Sequence, residues 1–389
     1  MSSEAGSPAD VRFMRRALAL AERGLGETNP NPAVGCVLVR RGRVVGEGFH
    51  ARAGSPHAEA IALAAAGARA RGATAYVTLE PCAPHEAKRT PACAPRLFEA
   101  GVSRVVYGAP DLNPRVRGRG VRGLRAAGVE VASGVCAGEC ERLTSHFNRA
   151  MQTGRPWVTL KAGMTLDGRV ATASGESKWI TSPAQRSAAR RLRGLFDGVL
   201  VGIGTVLADD PMLLPAPRTR RRSTRVVLDS RLRLPLASKL VAGARVHPVI
   251  AVCAKAAPAR RRALEARGVV VLEVSARLGR VPVAAALAAL ARIGMTSLFV
   301  EGGSEVMGSF VRAGLFDEIV LFRAPLLLGG RGSRPVIGGP DPVRLADAVR
   351  LRAATEATSA TLRYGLQGEA DSGVEVFVPA IARKMGGRG

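Results

Sequence analysis

His57-Ala58-Glu59, Pro81-Cys82 and Cys93 are the residues whose types and order could do metal-assisted chemistry. One histidine and two cysteines suit catalytic Zn2+, which takes three protein ligands and leaves a fourth position for water. Glu59 is two residues from His57, and positions i and i+2 do not share a helix face. It is therefore awkward as a further ligand and well placed beside the ion as a proton carrier. The implied chemistry is activation of water by Zn2+, with Glu59 taking the proton and the oxygen attacking an amino-bearing ring carbon. Zinc deaminases carry H-x-E followed by P-C-x-x-C. This chain has H-A-E and P-C, but ten residues separate Cys82 from Cys93. A structural zinc site and unrelated core residues compete with that reading, since a free cysteine is often simply buried. Only the deaminase reading explains an acid that is not a ligand.

A second candidate lies in VEGGSEVMGSF, where a strand ends in Gly302-Gly303 and a helix opens at Ser304. Glycine lets a ligand approach the backbone, and helix N-terminal N–H groups bind phosphate. A plain tight turn is the competing reading. VGIGTVLADDP contains only Gly202 and Gly204 and is not a G-x-G-x-x-G fingerprint. Cys136 and Cys140 are spaced i, i+4 with only His146 near, and burial is expected for them. Cys36 reads as a core strand residue, and His247 as structural.

These residues need elements to hold them. DVRFMRRALALAERG has helical spacing. VGCVLVR and RVVGEGFH read as strands around the turn Arg41-Gly42. Ser55-Pro56 predicts an N-cap with a proline at the first helical position, opening a helix at His57. Strand and helix then alternate to about residue 150, which predicts one α/β unit. A second alternation from WVTLKAGMTLDG to VEVFVPA predicts another α/β unit, rich in strands. The expected division is a loose terminus over 1–9, a first domain over 10–147, a linker over 148–155, a second domain over 156–380 and a tail over 381–389.

No segment has the roughly 18 continuous apolar residues of a membrane span. The N-terminal stretch lacks an apolar signal region, and a cytoplasmic location without disulfides is expected. The net charge of +26 attracts anions. Its arginines are scattered and aromatics are only 4%, which suits base stacking poorly, so no specific nucleic-acid partner is expected. A nucleic-acid deaminase and a zinc-stabilised binding protein stand as rival readings.

NPNPAVGCVLV, GEGFHARAGSPHAEA, GATAYVTLEPC and DLNPRVRGRG closely resemble the bifunctional riboflavin-biosynthesis deaminase–reductases. So do WVTLKAGMTLDGRVATASGESKWITS, VGIGTVLADDP and VEGGSEVMGSF, from about Phe13 to about Val378 in all. The resemblance implies a cytidine-deaminase-like α/β/α domain followed by a dihydrofolate-reductase-like α/β domain. The first would remove the 2-amino group of 2,5-diamino-6-ribosylamino-4(3H)-pyrimidinone 5′-phosphate, and the second would use NADPH to reduce its ribosyl group to ribityl. The same chemistry in a secondary-metabolite pathway is the alternative. A homo-oligomer, dimer or tetramer, is expected.

The resemblance also implies site residues. Zinc would sit on His57, Cys82 and Cys93, with Glu59 as proton shuttle. Asn31, His50, His85 and Arg89 would contact the pyrimidine and the ribose phosphate. NADPH would touch Gly163, Trp179, Thr205, Asp209 and Ser230, and the run Gly303, Ser304, Glu305, Val306, Met307, Gly308 and Ser309. The reductase substrate would touch Ser177, Arg193, Leu213 and Glu301, with Lys161 as a candidate for substrate charge or proton work. Two departures stand out. The family usually has eight residues between the cysteines, often with two histidines; this chain has ten, with His85 alone, the extra residues falling around Glu86–Lys88. After DDPxL the family's T-x-R is replaced by Leu214-Pro215-Ala216, and Arg218 is the expected substitute for its arginine.

Overall fold

The computed structural model describes residues 6–86, 90–217, 223–354 and 373–379. The chain divides into two compact units at Pro156 and Trp157.

The first unit runs α1 (Pro8–Glu22), β1 (Gly35–Arg40), β2 (Arg43–Phe49), α2 (Ala58–Ala66), β3 (Thr74–Leu79), α3 (Cys93–Glu99), β4 (Arg104–Ala109), α4 (Arg119–Ala126), β5 (Glu130–Ser133), α5 (Ala137–Leu143) and α6 (Ser145–Thr153). The sheet order is β2-β1-β3-β4-β5, with β1 antiparallel to both neighbours and β3, β4 and β5 parallel. Leu38, Ala62, Val77, Leu97, Val105 and Leu124 form its core, joining the sheet to α2, α3 and α4. Each fully buried Leu or Val contributes about 1.5–3 kcal/mol of transfer free energy. The opposite face takes α1. Its start is closed by a Ser7–Asp10 capping box with Pro8 in the first turn. The buried Asp10 carboxylate also accepts from Tyr76 at 2.9 Å and Arg104 at 2.7 Å. The Arg104 bond, against burial, holds its carboxyl far below the usual range.

Two local expectations change. Ser55 does not cap α2. Its hydroxyl closes a turn on Arg52, donating to the Arg52 carbonyl at 2.7 Å, and His57 itself is the N-cap. The expected linker over 148–155 is largely helix, since α6 buries Phe147 and ends only at the left-handed Gly154. Among the cysteines, Cys36, Cys136 and Cys140 are buried, as expected.

The second unit runs β6 (Trp157–Thr165), β7 (Arg169–Ala171), α7 (Pro183–Arg193), β8 (Gly198–Gly202), α8 (Ile203–Asp209), β9 (Thr224–Leu228), α9 (Lys239–Ala242), β10 (Val249–Cys253), α10 (Pro258–Glu265), β11 (Val269–Glu273), α11 (Val283–Arg292), β12 (Ser297–Val300), α12 (Ser304–Ala313), β13 (Glu318–Ala324), β14 (Arg334–Pro335), β15 (Leu351–Ala353) and β16 (Val374–Pro379). Nine strands form one sheet, in the order β11-β10-β9-β8-β12-β6-β13-β16-β15. The strands from β11 to β13 are parallel, and β16 and β15 complete the edge antiparallel. Every residue of β8, β10 and β12 is buried, as a parallel sheet covered on both faces requires. The connections leaving the adjacent strands β8 and β12 run to opposite sides of the sheet. The carboxyl ends of strands at such a divergence are where ligands bind in open α/β sheets.

Close backbone approach places α2. A Cβ on Gly48 would sit 2.4 Å from the Ala58 carbonyl oxygen, and one on Gly46 would sit 2.2 Å from that of Ala62. The expected outcome for Gly48→Val is therefore a displaced α2, with His57 and Glu59 moved off the site. Stability should fall by about 1–3 kcal/mol and zinc content should fall with it, as read by thermal melting and metal analysis.

Candidate active sites

In the first unit, three elements bring the predicted metal set together. His57 stands at the extended N-cap of α2, Cys82 follows β3, and Cys93 opens α3. The imidazole Nδ1 lies 3.6 Å from the Cys82 Sγ and 3.3 Å from the Cys93 Sγ. All three ligand atoms lie within 4.8 Å of one another. Tetrahedral Zn2+ with ordinary Zn–S and Zn–N bonds separates such atoms by about 3.6–3.8 Å, so the residues present fit the ion. The Cys93 backbone N–H donates to the Cys82 Sγ at 3.3 Å. The donor is the first residue of α3. The hydrogen bond that the Cys93 S–H donates to the Cys82 sulfur, followed by burial, pushes the Cys93 thiol far up. A cation at the centre of the set would reverse that.

Glu59 is buried in the first turn of α2, and burial and then the Cys82 charge push its carboxyl up. His50 is buried beside His57; burial lowers its imidazole, and Nδ1 lies 3.1 Å from the Pro56 carbonyl oxygen. The Asn31 amide lies 3.2 Å from His50 Nε2, and the His50 and His57 rings meet edge-on at 5.5 Å. Asn31, His50, His57, Glu59, Cys82 and Cys93 therefore form one site. His85 follows in the loop, and its buried Nδ1 finds no hydrogen-bond partner among the described residues. Arg89 and Lys88 lie outside the described residues. Thr90, which no spacing argument singled out, places its hydroxyl 3.4 Å from His57 Nε2.

In the second unit, Lys161, Arg193 and Glu301 converge from β6, α7 and the end of β12. The Arg193 guanidinium meets the Glu301 carboxylate through two nitrogens, one at 3.0 Å, and donates to the Leu214 carbonyl at 2.9 Å. Lys161 Nζ lies 3.7 Å from Glu301. Burial pushes the Glu301 carboxyl up, but Arg193 and Lys161 outweigh it and hold the group below its ordinary range. Burial lowers the Lys161 ammonium, with Glu301 opposing.

The predicted cofactor residues fall along the same edge. Thr205 in α8 faces Gly303, where a Cβ would lie 3.7 Å from its hydroxyl. A Cβ on Gly163 would lie 2.6 Å from Thr181, beside the segment carrying Ser177 and Trp179. Lys178 of that segment lies 4.0 Å from Asp209, and the exposed Trp179 carries the Arg186 guanidinium at 4.4 Å. Ser230 lies just beyond β9, its hydroxyl accepting from the Val281 N–H at 3.0 Å. Leu213 is buried at positive φ in the apolar cluster with Val201 and Val227, so only its backbone can meet a ligand. The run Gly303–Ser309 does not act as one surface. Met307 belongs to the core, Val306 packs on Gly202 and Gly302, and the Ser309 hydroxyl donates to the Glu305 carbonyl at 2.8 Å. Gly303 and the first turn remain for a ligand. Arg218 lies outside the described residues.

Residues 7–109 match the cytidine and deoxycytidylate deaminase zinc-binding region, and residues 156–360 match the RibD C-terminal domain. The riboflavin biosynthesis protein RibD of Actinobacillus pleuropneumoniae is 42% identical over 343 residues, covering 88% of this chain and 91% of that protein. The chain belongs to the RibD family. RibD of Escherichia coli K12 is 41% identical over 356 residues, covering 88% of this chain and 95% of its own length. The solved structure of Acinetobacter baumannii RibD, form 2, superposes with a TM-score of 0.82 at 37% identity, covering 96% of this chain and 99% of that one. A Thermotoga maritima structure described as a diaminohydroxyphosphoribosylaminopyrimidine deaminase/5-amino-6-(5-phosphoribosylamino)uracil reductase gives 0.80 at 32% identity, with coverage of 96% and 99%. RibD membership brings the two-domain deaminase and reductase architecture that the sequence motifs imply, and it spans both units, which neither rival reading accounts for. No helix among the described residues is long and apolar enough to cross a membrane.

Glu301 pairs with two half-buried cations, so Glu301→Gln should cost about 2–3 kcal/mol near neutral pH, below the cost of breaking a fully buried pair. A carboxyl whose folded pKa is depressed contributes stability above its unfolded value, near 4.3, and loses it as pH falls through the lower folded value. Calorimetry should show a constant gap between wild type and variant from pH 7 to about 5, closing below about pH 4.

Proposed function

We propose that this chain catalyses two successive steps of riboflavin biosynthesis. The first is hydrolytic removal of the 2-amino group from 2,5-diamino-6-ribosylamino-4(3H)-pyrimidinone 5′-phosphate. The second is NADPH-dependent reduction of the ribosyl group to ribityl. The observation that carries this reading is the convergence of His57, Cys82 and Cys93 with a buried, non-ligand Glu59, in a chain that also holds the Lys161–Glu301–Arg193 cluster.

When bound, Zn2+ would supply the Lewis acidity that makes water a nucleophile near neutral pH. His57, Cys82 and Cys93 hold it. Glu59 carries a proton from the attacking water to the leaving ammonia. Burial raises its carboxyl, as moving a proton in both directions requires. Asn31 and His50 present polar atoms beside that acid and orient the ring. His85 and Arg89 extend the site towards the phosphate, and a guanidinium there suits a phosphate through two parallel bonds.

In the reductase, NADPH supplies the hydride, and the chain supplies placement. The N-terminal N–H groups of α12 and the close approach at Gly303 suit the cofactor's phosphates. Gly163, Trp179, Thr205, Asp209 and Ser230 line the same edge. Ser177, the Leu213 backbone, Glu301 and Arg193 hold the sugar. Lys161, charged but lowered by burial, is placed to donate a proton as the sugar carbon accepts hydride.

Glu59→Gln should keep zinc at the wild-type level and lower ammonia release by about 10²–10⁴-fold. NADPH oxidation should persist when the already deaminated pyrimidine is supplied. Metal content, ammonia and absorbance at the nicotinamide band, measured on one preparation, check all three. Ammonia release at the wild-type rate would remove Glu59 from the mechanism.

A further inference from the structure

After β13 the chain leaves the sheet and runs back across α12. We infer that residues 326–339 form a strap that sets the position of α12, and that Arg312 is a positioning residue which closes the strap and thereby sets affinity for the dinucleotide. The inference rests on the reading of α12 as the cofactor's phosphate site.

One end of the strap is laced to the loop after β6. The Asp167 carboxylate accepts from the Thr165 hydroxyl at 2.6 Å, the Gly329 N–H at 2.8 Å and the Leu328 N–H at 3.2 Å. The Leu166 N–H donates to the Leu326 carbonyl at 2.9 Å, and the Val336 N–H donates to the Gly168 carbonyl at 3.0 Å. The short strands β14 and β7 pair antiparallel between these points.

The other end lies on α12. The Ser304 hydroxyl donates to the Pro335 carbonyl, the Gly338 N–H donates to the Ser304 carbonyl at 2.9 Å, and the Arg312 guanidinium donates to the Gly338 carbonyl. A Cβ on Gly308 would lie 1.8 Å from the Gly338 oxygen, so the strap rests on bare helix backbone there. Ser304, Gly308 and Arg312 are spaced by four and share one helix face. The strap occupies that face. Because the Ser304 hydroxyl is committed to it, Ser304 has its backbone N–H to offer a phosphate.

Arg312 lies eight residues beyond Ser304, about 12 Å along the helix at 1.5 Å per residue. Its guanidinium reaches back over Gly308 and is committed to the Gly338 carbonyl of the strap. Its effect on the cofactor is assigned to that bond. The residues it joins also connect α12 to the loop after β6, the strand that carries Lys161 and Gly163. The strap therefore ties the cofactor helix to the strand on the substrate side.

The test titrates the full-length wild type, Arg312→Ala, Arg312→Lys and Gly308→Ala with NADPH, followed by fluorescence. Reductase KM and kcat and ammonia release are measured on the same preparations. Losing one charge-assisted hydrogen bond should raise Kd and KM for NADPH about tenfold in Arg312→Ala, with kcat and ammonia release within about twofold. Arg312→Lys, which keeps a donor, should recover part of the affinity. Gly308→Ala should reproduce the loss with Arg312 intact, and it serves as the test should Arg312→Ala fail to fold. An NADPH Kd within twofold of wild type in both Arg312→Ala and Gly308→Ala would overturn the inference. So would a fall in kcat at unchanged Kd, or a lysine variant no better than the alanine one. A wild type that does not bind NADPH would overturn the reading of α12 itself, and the strap's role with it.

Discussion

Two sulfur atoms and an imidazole nitrogen, brought from three elements to within 4.8 Å of one another, form a set that fits a single cation. Much of the first unit can be understood from that constraint. Ser55 closes its own turn rather than capping α2, so His57 stays extended at the helix start with its ring turned to the thiols. Cys93 begins α3 and gives its N–H to Cys82, so the second ligand helps to hold the first. The glycines of β2 let α2 press on the sheet and carry His57 and Glu59 to the same point.

The second unit answers a different electrostatic problem. Glu301 emerges from the end of β12 into a place with little water, where an isolated carboxylate would be costly. Arg193 and Lys161 offset that cost from both sides and keep it ionised. The cluster lies at the carboxyl ends of parallel strands, next to the divergence between β8 and β12. The chain thus concentrates half-buried charge at the strand ends where the fold diverges. Both sites combine a rigid strand end with a helix start, and in each the groups that differ in charge are brought from distant parts of the chain.

Much of this was legible in the sequence. The alternation of strand and helix patterns predicts both α/β units, and H-A-E with P-C and Cys93 points to the residues that the fold brings together. What was not legible follows from long-range contact. No local pattern tells that Ser55 bonds Arg52 rather than the helix, that Thr90 reaches His57, or that Leu213 turns its side chain into the core. The run Gly303–Ser309 looked uniform as text, but helical geometry divides it: Met307 faces the core and Gly308 lies beneath Gly338. Much of the stretch expected as a linker over 148–155 is the body of α6, which runs from Ser145 to Thr153 and ends at the left-handed Gly154.

The central claim is that one chain performs deamination and then reduction on the same phosphorylated pyrimidine. The direct measurement is the stoichiometry of ammonia released to NADPH oxidised from the diaminopyrimidine phosphate, with the native protein and after zinc removal. Equal amounts are expected with the native protein, and neither product after zinc removal until the deaminated pyrimidine is added, when NADPH oxidation returns. NADPH oxidation from the diamino substrate without ammonia, or ammonia release that survives zinc removal, would contradict it.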